Sequence, residues 1–213
     1  MPLDAAALEA LLPDLDDAPS GHVDAARPAD GLRFTDLELT GDGTGARFLE
    51  CELTGCDLGA VPFDGARLTS CLLTDVHAPA WSVTDATLLD VVVTGGRFGA
   101  LTAHGSELTR VLLDGVKVDL LALGSARLVD VELRGCTVGE LDLAAADLRD
   151  VRLVGCSVER LTVAGARCRG VDLRGAALGG LDDVAALAGA TISTAQLTAL
   201  APALAAHAGL TVR

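Results

Sequence analysis

The chain has 213 residues and a net charge of −14 at pH 7, and half of it is hydrophobic although aromatic residues make up only 2%. A core filled by Ala, Val, Leu and Cys instead of aromatic rings requires a backbone that brings small side chains into regular contact. The acidic charge argues against direct nucleic-acid binding, because phosphate contacts require Lys and Arg. No apolar stretch reaches the roughly 18 residues of a membrane span, and the first residues lack the basic start of a signal peptide.

These exclusions predict a cytoplasmic protein. The sequence contains no Asn and a single Lys, Lys117. This usage is typical of a GC-rich genome, so we expect a bacterial source.

Residues 1–45 differ from the rest of the chain. Residues 4–12 (DAAALEALL) predict a short helix, and residues 14–28 predict an acidic, proline-containing link. Phe34 and Leu39 are five residues apart but lie one residue out of phase with the repeat that begins at residue 46, and we place the phase change in the glycine-rich loop 41–45. We therefore expect an acidic N-terminal arm with a partial first coil.

Residues 46–183 repeat with a period of five. From Phe48 to Leu178 every fifth residue is apolar, and an apolar or small residue stands two positions before nearly every one of these centres. Neither an α-helix nor a plain strand has this period. Two inward residues followed by a turn rich in Gly, Asp, Ser and Thr explain it.

A longer period of 20 residues lies over the period of five. At one phase the small residues are Ala46, Ala66, Ala86, Ser106, Ala126, Ala146 and Ala166. Four pentapeptides thus form one coil with four faces, and coils stack about 4.8 Å apart, the spacing of paired strands. Residues 46–183 then make about seven coils, a rod roughly 33 Å long.

This register, seen in ARLVDVELRGCTVGELDL at residues 126–143, resembles the pentapeptide-repeat family. The resemblance covers about residues 46–181. It implies an all-β solenoid, a right-handed quadrilateral β-helix with short helical caps at both ends. On one face Leu, or Trp81, fills the inward position where the family favours small residues, so we expect that face to bulge or to use a different turn.

Residues 184–213 change to a helical pattern. Ser193 with Gln196 three positions later forms a capping box. An apolar stripe at helical spacing comes next, made of Leu197, Leu200, Ala201 and Leu204. A solenoid end needs a cover because open coil edges would pair with other chains. The segment resembles the C-terminal part of many family members, which caps the last coil and often dimerises, so we expect a homodimer.

The six cysteines predict packing and not chemistry. Five of them fall two positions before a centre, and Cys168 is itself a centre. They behave as small hydrophobic residues, and no C-x-x-C spacing is present. His22, His77, His104 and His207 share no phase. We therefore expect no metal, no cofactor and no catalytic site.

Two surface features stand out. The face that carries the acidic residues Asp64, Asp85, Asp142 and Asp182 has no cation. An apolar patch is expected from outward positions of three successive coils and the adjacent corner, namely Leu72, Val92, Leu112 and Leu89. Such a patch marks an interface. It either docks the N-terminal helix through Leu8, Leu11 and Leu12 or binds another protein.

The fold alone does not determine function. We expect a non-catalytic protein-binding solenoid, a scaffold or regulatory module with an unidentified protein partner. The alternative implied by the resemblance is a DNA mimic of the Qnr and MfpA type, acidic dimeric rods that bind DNA gyrase and modulate it or protect it from quinolone-type poisons. An enzyme accessory or immunity-type factor is a third class.

Overall fold

The structure is a computed structural model that describes residues 4–19 and 22–211. It is a parallel β-solenoid of about nine turns. A helix precedes it, α1 (Ala5–Glu9), and a 3-10 helix (Val184–Leu187) and α2 (Thr194–His207) lie at its C-terminal end.

The strands are short and succeed one another from coil to coil. In the N-terminal half they are β1 (Asp16–Asp17), β2 (His22–Asp24), β3 (Ala29–Asp30), β4 (Leu32–Thr35), β5 (Glu38–Thr40), β6 (Arg47–Leu49), β7 (Glu52–Thr54), β8 (Arg67–Thr74), β9 (His77–Ser82) and β10 (Thr87–Thr94). The remaining strands are β11 (Arg97–Thr102), β12 (Glu107–Asp114), β13 (Lys117–Ala122), β14 (Arg127–Arg134), β15 (Thr137–Asp142), β16 (Asp147–Thr162), β17 (Arg167–Arg169), β18 (Val171–Leu181) and β19 (Ala190–Thr191).

In the middle of the solenoid each coil pairs with the next through residues 20 positions apart. Leu88 pairs with Leu68 on one side and with Leu108 on the other. We name the four faces by the coil at residues 126–145: face A is 126–130, face B 131–135, face C 136–140 and face D 141–145. The same letters apply to residues 20 positions earlier or later.

The inward centres form one continuous core. Every centre from Phe48 to Leu173 is buried, and Leu178 is half-buried in the last coil. The residues two positions earlier are buried too, including Cys51 and Ala126, except for the half-buried Gly96 and Ala166. The predicted fold, a pentapeptide solenoid, is confirmed.

The corners of a coil are not alike. Faces A, B and D end in a residue with positive φ, as at Asp130 (54°), Gly135 (59°) and Ala145 (58°). After face D the turn is closed by a hydrogen bond, with the Ala146 amide donating to the Leu143 carbonyl at 3.0 Å. Between faces C and D the last residue of face C, such as Glu140, has no positive φ, and β15 runs through that corner. The unusual face is face D, and the predicted change of turn lies at the corner that leads into it.

Face C contains glycines for a steric reason. A Cβ on Gly139 would lie 2.6 Å from the Asp119 carbonyl oxygen of the preceding coil. Contacts shorter than about 3 Å force the backbone to move. The alternating glycines at this position let successive coils approach each other.

We expect Gly139→Ala to destabilise the protein by about 1–3 kcal/mol through this overpacking. Gly180→Ala is the matched control on the same face, because its Cβ would meet the Glu159 oxygen at an ordinary 3.6 Å. Denaturant unfolding of both variants checks the expectation. Equal stabilities for the two variants would contradict the steric account.

The aromatic residues are gathered in the N-terminal half of the core. Neighbouring ring centroids along the series Phe34, Phe48, Phe63, Trp81 and Phe98 are 5.7 to 6.1 Å apart. Four Phe and one Trp are all the aromatic residues that the sequence has, apart from histidine. A single column therefore supplies the bulk of this end of the core, which the sequence did not predict.

The N-terminal coils are shorter than 20 residues. Phe34 pairs with Leu53, at an offset of 19 residues. Gly43 faces Phe63 of the next coil, at an offset of 20 residues. The phase change therefore lies before Gly43. This agrees with the predicted slip in loop 41–45. The described residues within 14–28, which were predicted to form an acidic link, are part of the solenoid. They contain β1 and β2, which pair with β4 and β5 at an offset of 16.

Candidate partner-binding surfaces

The expected apolar patch is covered. Leu72, Val92 and Leu112 are at most 5% exposed, because they form one buried cluster with Leu8 of α1. Leu12 and Ala5 pack beside Leu8 in a partly buried state. Of the predicted helix residues, Leu11 does not dock, since it is 77% exposed. Leu89 is half-buried at the neighbouring corner.

The outward positions of face B on either side of this patch are charged and paired. Arg33 lies 3.0 Å from Glu52, Arg134 lies 2.7 Å from Glu132, and Arg174 lies 2.6 Å from Asp172. The hydrogen bonds from Arg174 hold the pKa of Asp172 down at about 2. These exposed pairs satisfy one another and contribute little to stability.

The four acidic residues of the cation-free face do not form one cluster. Asp142 and Asp182 occupy the same position two coils apart, and Asp64 lies in a coil near the N-terminal end. Their carboxylates accept hydrogen bonds from backbone amides, from Thr84 at 3.1 Å to Asp64 and from Ala144 at 2.8 Å to Asp142. Asp182 accepts from the amide of Val163 at 2.8 Å.

Asp85, the fourth acidic residue, is a corner residue with φ of 52°. Its carboxylate lies above Gly105, at the place a Cβ on that residue would occupy. Along the column of Asp142, the intervening coils carry Ser82, Thr102, Ala122 and Thr162. The acidic residues therefore cap turns, and uncharged side chains separate them along face D.

Unpaired cations lie in two rows on opposite faces. Among the described residues, one outward position of face A carries arginines without an ion pair, namely Arg47, Arg67, Arg127 and Arg167. Other arginines of the same face are paired, namely Arg110, Arg149 and Arg169. On face C, Arg97 and Lys117 also form no ion pair within the described chain, and they are neighbours in successive coils. These two rows lie on the faces that adjoin the acidic face D.

An open groove on face C has a volume of about 640 Å³. One wall carries the unpaired Arg97 and Lys117, and the other carries Glu140 and Arg160, which form an ion pair at 3.1 Å. Gly139 keeps the floor flat. Sequence reasoning missed this groove. Two signals for it were present in the sequence, namely two cations at equivalent positions of successive coils and the alternating glycines.

The C-terminal helix covers the last coil through one polar residue. Gln196 donates from Nε2 to the carbonyls of Leu173 (2.5 Å) and Ala176 (2.8 Å), and its Oε1 accepts from the Ser193 amide. The predicted capping box is therefore present and also ties α2 to the solenoid.

The apolar stripe of α2 is largely open to solvent in the single chain. Leu197 is 49% exposed, Ala201 is exposed, and Leu200 and Leu204 are only half-buried. The last coil also extends further than residue 183, because β19 pairs with β18. The cap thus begins after Thr191, and its apolar side has no cover within the described chain.

The cysteines are free and buried, as their phase predicted, and they are Cys51, Cys56, Cys71, Cys136, Cys156 and Cys168. Burial raises the pKa of the Cys56 and Cys168 thiols. Cys51 and Cys71 occupy the same position in successive coils, and the neighbouring Cys51 thiol together with burial raises the pKa of Cys71. They pack as small apolar residues.

The described residues form neither a cluster of metal ligands nor a membrane-spanning helix. In residues 4–19 and 22–211, His, Cys, Asp and Glu side chains do not gather in threes that could hold a metal ion. Neither helix in that part of the chain has the length and apolar character that crossing a bilayer requires.

No protein-family model matches the chain, and no curated protein matches it. Solved structures do. A trypsin-treated variant of QnrB1, a plasmid-mediated fluoroquinolone resistance protein, is 15% identical with a TM-score of 0.60, covering 91% of this chain and 100% of that one. The chain has the pentapeptide-repeat fold.

Two more pentapeptide-repeat structures match over most of their length but superpose less well. HetL, involved in heterocyst differentiation regulation in the cyanobacterium Nostoc sp. strain PCC 7120, is 20% identical and has a TM-score of 0.35, with 83% of this chain and 86% of HetL covered. Full-length QnrB1 is 16% identical with a TM-score of 0.29, with 89% and 99% covered.

Proposed function

We propose that this pentapeptide-repeat solenoid is a non-catalytic scaffold or regulatory module that binds a protein partner along face C. The observation that carries the proposal is the open groove with its two unpaired cations, Arg97 and Lys117. A groove of about 640 Å³ is large enough for several side chains. Exposed, unpaired cations attract an acidic segment and set the association rate.

The partner is therefore expected to present an acidic, extended segment along the axis of the solenoid. Its carboxylates would meet Arg97 and Lys117, and its cationic side chains would meet Glu140. The paired residues of face B offer no such unsatisfied charge.

A matched pair of double variants tests this function. We expect Arg97→Glu/Lys117→Glu to lower partner capture from a lysate of the source organism at least about tenfold, since charge reversal replaces attraction with repulsion. Arg47→Glu/Arg67→Glu is the control, because it reverses two unpaired cations of successive coils on face A. The decisive readout is a protein retained by wild type and control but lost with the face C variant. Identical captured sets for all three chains would contradict the proposal.

DNA gyrase modulation is a second candidate. It is favoured by the cation-free face D and by the fold shared with QnrB1, a fluoroquinolone resistance protein. Two features of face D weigh against DNA mimicry. Its carboxylates are separated by uncharged side chains, and rows of cations lie on the two adjoining faces.

A supercoiling assay with purified chain and gyrase tests this candidate, with and without a quinolone. DNA mimicry predicts inhibition of supercoiling or relief of quinolone poisoning, and Asp142→Asn/Asp182→Asn should weaken either effect. Unchanged supercoiling and unchanged quinolone sensitivity at a large excess of the chain would remove gyrase as the partner.

Self-association through α2 completes the proposed function. The half-open stripe of Leu197, Leu200 and Leu204 is suited to the same stripe of a second copy, as in a two-fold symmetric interface. The cover it lacks in the single chain would then come from the partner protomer.

A further inference from the structure

The covered patch on face B has a geometry that selects a helix. Leu72, Val92 and Leu112 are directly paired neighbours in three successive coils, so they form a straight row along the solenoid axis. Coils repeat about every 4.8 Å. A helix rises about 1.5 Å per residue, so apolar residues three and four positions apart recur every 4.5–6 Å. A helix parallel to the axis therefore places one apolar side chain on each coil.

The chain's own α1 uses this match. Ala5, Leu8 and Leu12 are three and four residues apart, and they are the residues that pack on the row. The helix itself lies against β8 and β10, the strands that carry Leu72 and Val92. The acidic residues near its two ends also act on arginines of face B, since Asp4 contributes to the raised pKa of Arg134 and Glu9 to that of Arg33.

The cover that α1 provides is slight. The helix spans only Ala5–Glu9, and Leu8 is its one buried residue. Among the described residues, no hydrogen bond joins it to face B, so apolar packing and the attraction of Asp4 and Glu9 to arginines of that face hold it there. Isolated helices shorter than about 12 residues are marginal in water. A segment with these properties can leave the row and return.

The row also has defined ends. Glu52 precedes it and Glu132 comes after it, both in ion pairs with arginines. A partner helix must therefore present about three apolar residues, at positions i, i+3 and i+7.

We propose that the row Leu72–Val92–Leu112 is a docking site for an amphipathic helix of a partner protein, and that α1 occupies it as an internal competitor. The site is separate from the groove on face C and does not depend on the function proposed for it. Removal of α1 from the row opens the site, and a partner helix with the same spacing replaces it.

The test uses a fluorescent peptide of residues 4–14 as the probe and the full-length chain as the receptor. In Leu8→Asp the chain's own helix no longer packs on the row, so we expect the peptide to bind this variant at least tenfold more tightly than wild type. Adding Val92→Asp should abolish the binding. Outward positions of face B accept charge, as Glu132 shows, so this second change leaves the core intact.

Equal peptide affinity for wild type and Leu8→Asp, or binding that survives Val92→Asp, would overturn the proposal. The oligomeric state gives a second way to overturn the proposal. If the wild-type chain is a dimer that Leu8→Asp dissociates and Leu197→Glu/Leu200→Glu does not, the row binds α1 of a second copy and not a helix of a partner protein.

Hydrogen exchange on the wild-type chain gives an answer that needs no variant. Displacement requires the α1 amides, such as that of Leu8, to exchange at least a hundredfold faster than those of Val91 and Val93 beneath. Equal protection of the two segments would make α1 a fixed part of the fold and overturn the proposal.

Discussion

We expect Leu128→Asp to abolish folding of the solenoid. Leu128 is an inward centre in a middle coil with no exposed surface. The variant loses the packing of a leucine and buries a carboxylate without a partner, together at least about 5 kcal/mol. Domains of this size have a total stability of about 5–15 kcal/mol. Circular dichroism and the fluorescence of Trp81, buried in the aromatic column, report the loss.

Val154→Asp is the control for this prediction. It adds the same charge to the same half of the solenoid, but Val154 is outward and 44% exposed. Its change in stability should stay within about 0.5 kcal/mol. Wild-type unfolding behaviour for Leu128→Asp would mean that the centre does not point inward, and the register would be wrong.

Deletion of residues 191–213 should convert the chain to aggregates. Gln196 then no longer holds the carbonyls of Leu173 and Ala176, and the last coil presents an uncovered edge. Such edges template pairing between chains. Size-exclusion chromatography with light scattering measures the outcome.

Leu197→Glu/Leu200→Glu separates capping from dimerisation. This variant keeps Gln196 and the capping box, so it should stay soluble, but as a monomer if the stripe is the dimer interface. An unchanged, soluble dimer after the deletion would contradict both roles of the segment. An unchanged dimer in the double variant would place the interface elsewhere.

The repeat made most of the fold predictable. Because each coil buries the same two positions per pentapeptide, the apolar centres from Phe48 onward define the core without any long-range information. The capping box at Ser193 is equally local, since Gln196 is one turn away. The carbonyls that Gln196 reaches lie 20 residues or more earlier, and no sequence pattern indicates them.

The irregular parts were harder to predict. β1 and β2 belong to a coil of 16 residues, and such a coil leaves no period of five to detect. The groove on face C depends on which outward charges find partners. Arg160 pairs with Glu140 whereas Arg97 has no partner among the described residues, and that difference depends on side-chain geometry between coils. The position of α1 depends on a row that is apolar in three coils and charged in the flanking ones.

The most direct test of the register is the reactivity of the native thiols. All six cysteines occupy inward positions and are buried, so an aromatic disulfide reagent should modify none of them within minutes in the folded chain. After unfolding in denaturant it should modify all six. Two or more thiols that react at once in the native chain would contradict the inward register on which the whole account rests.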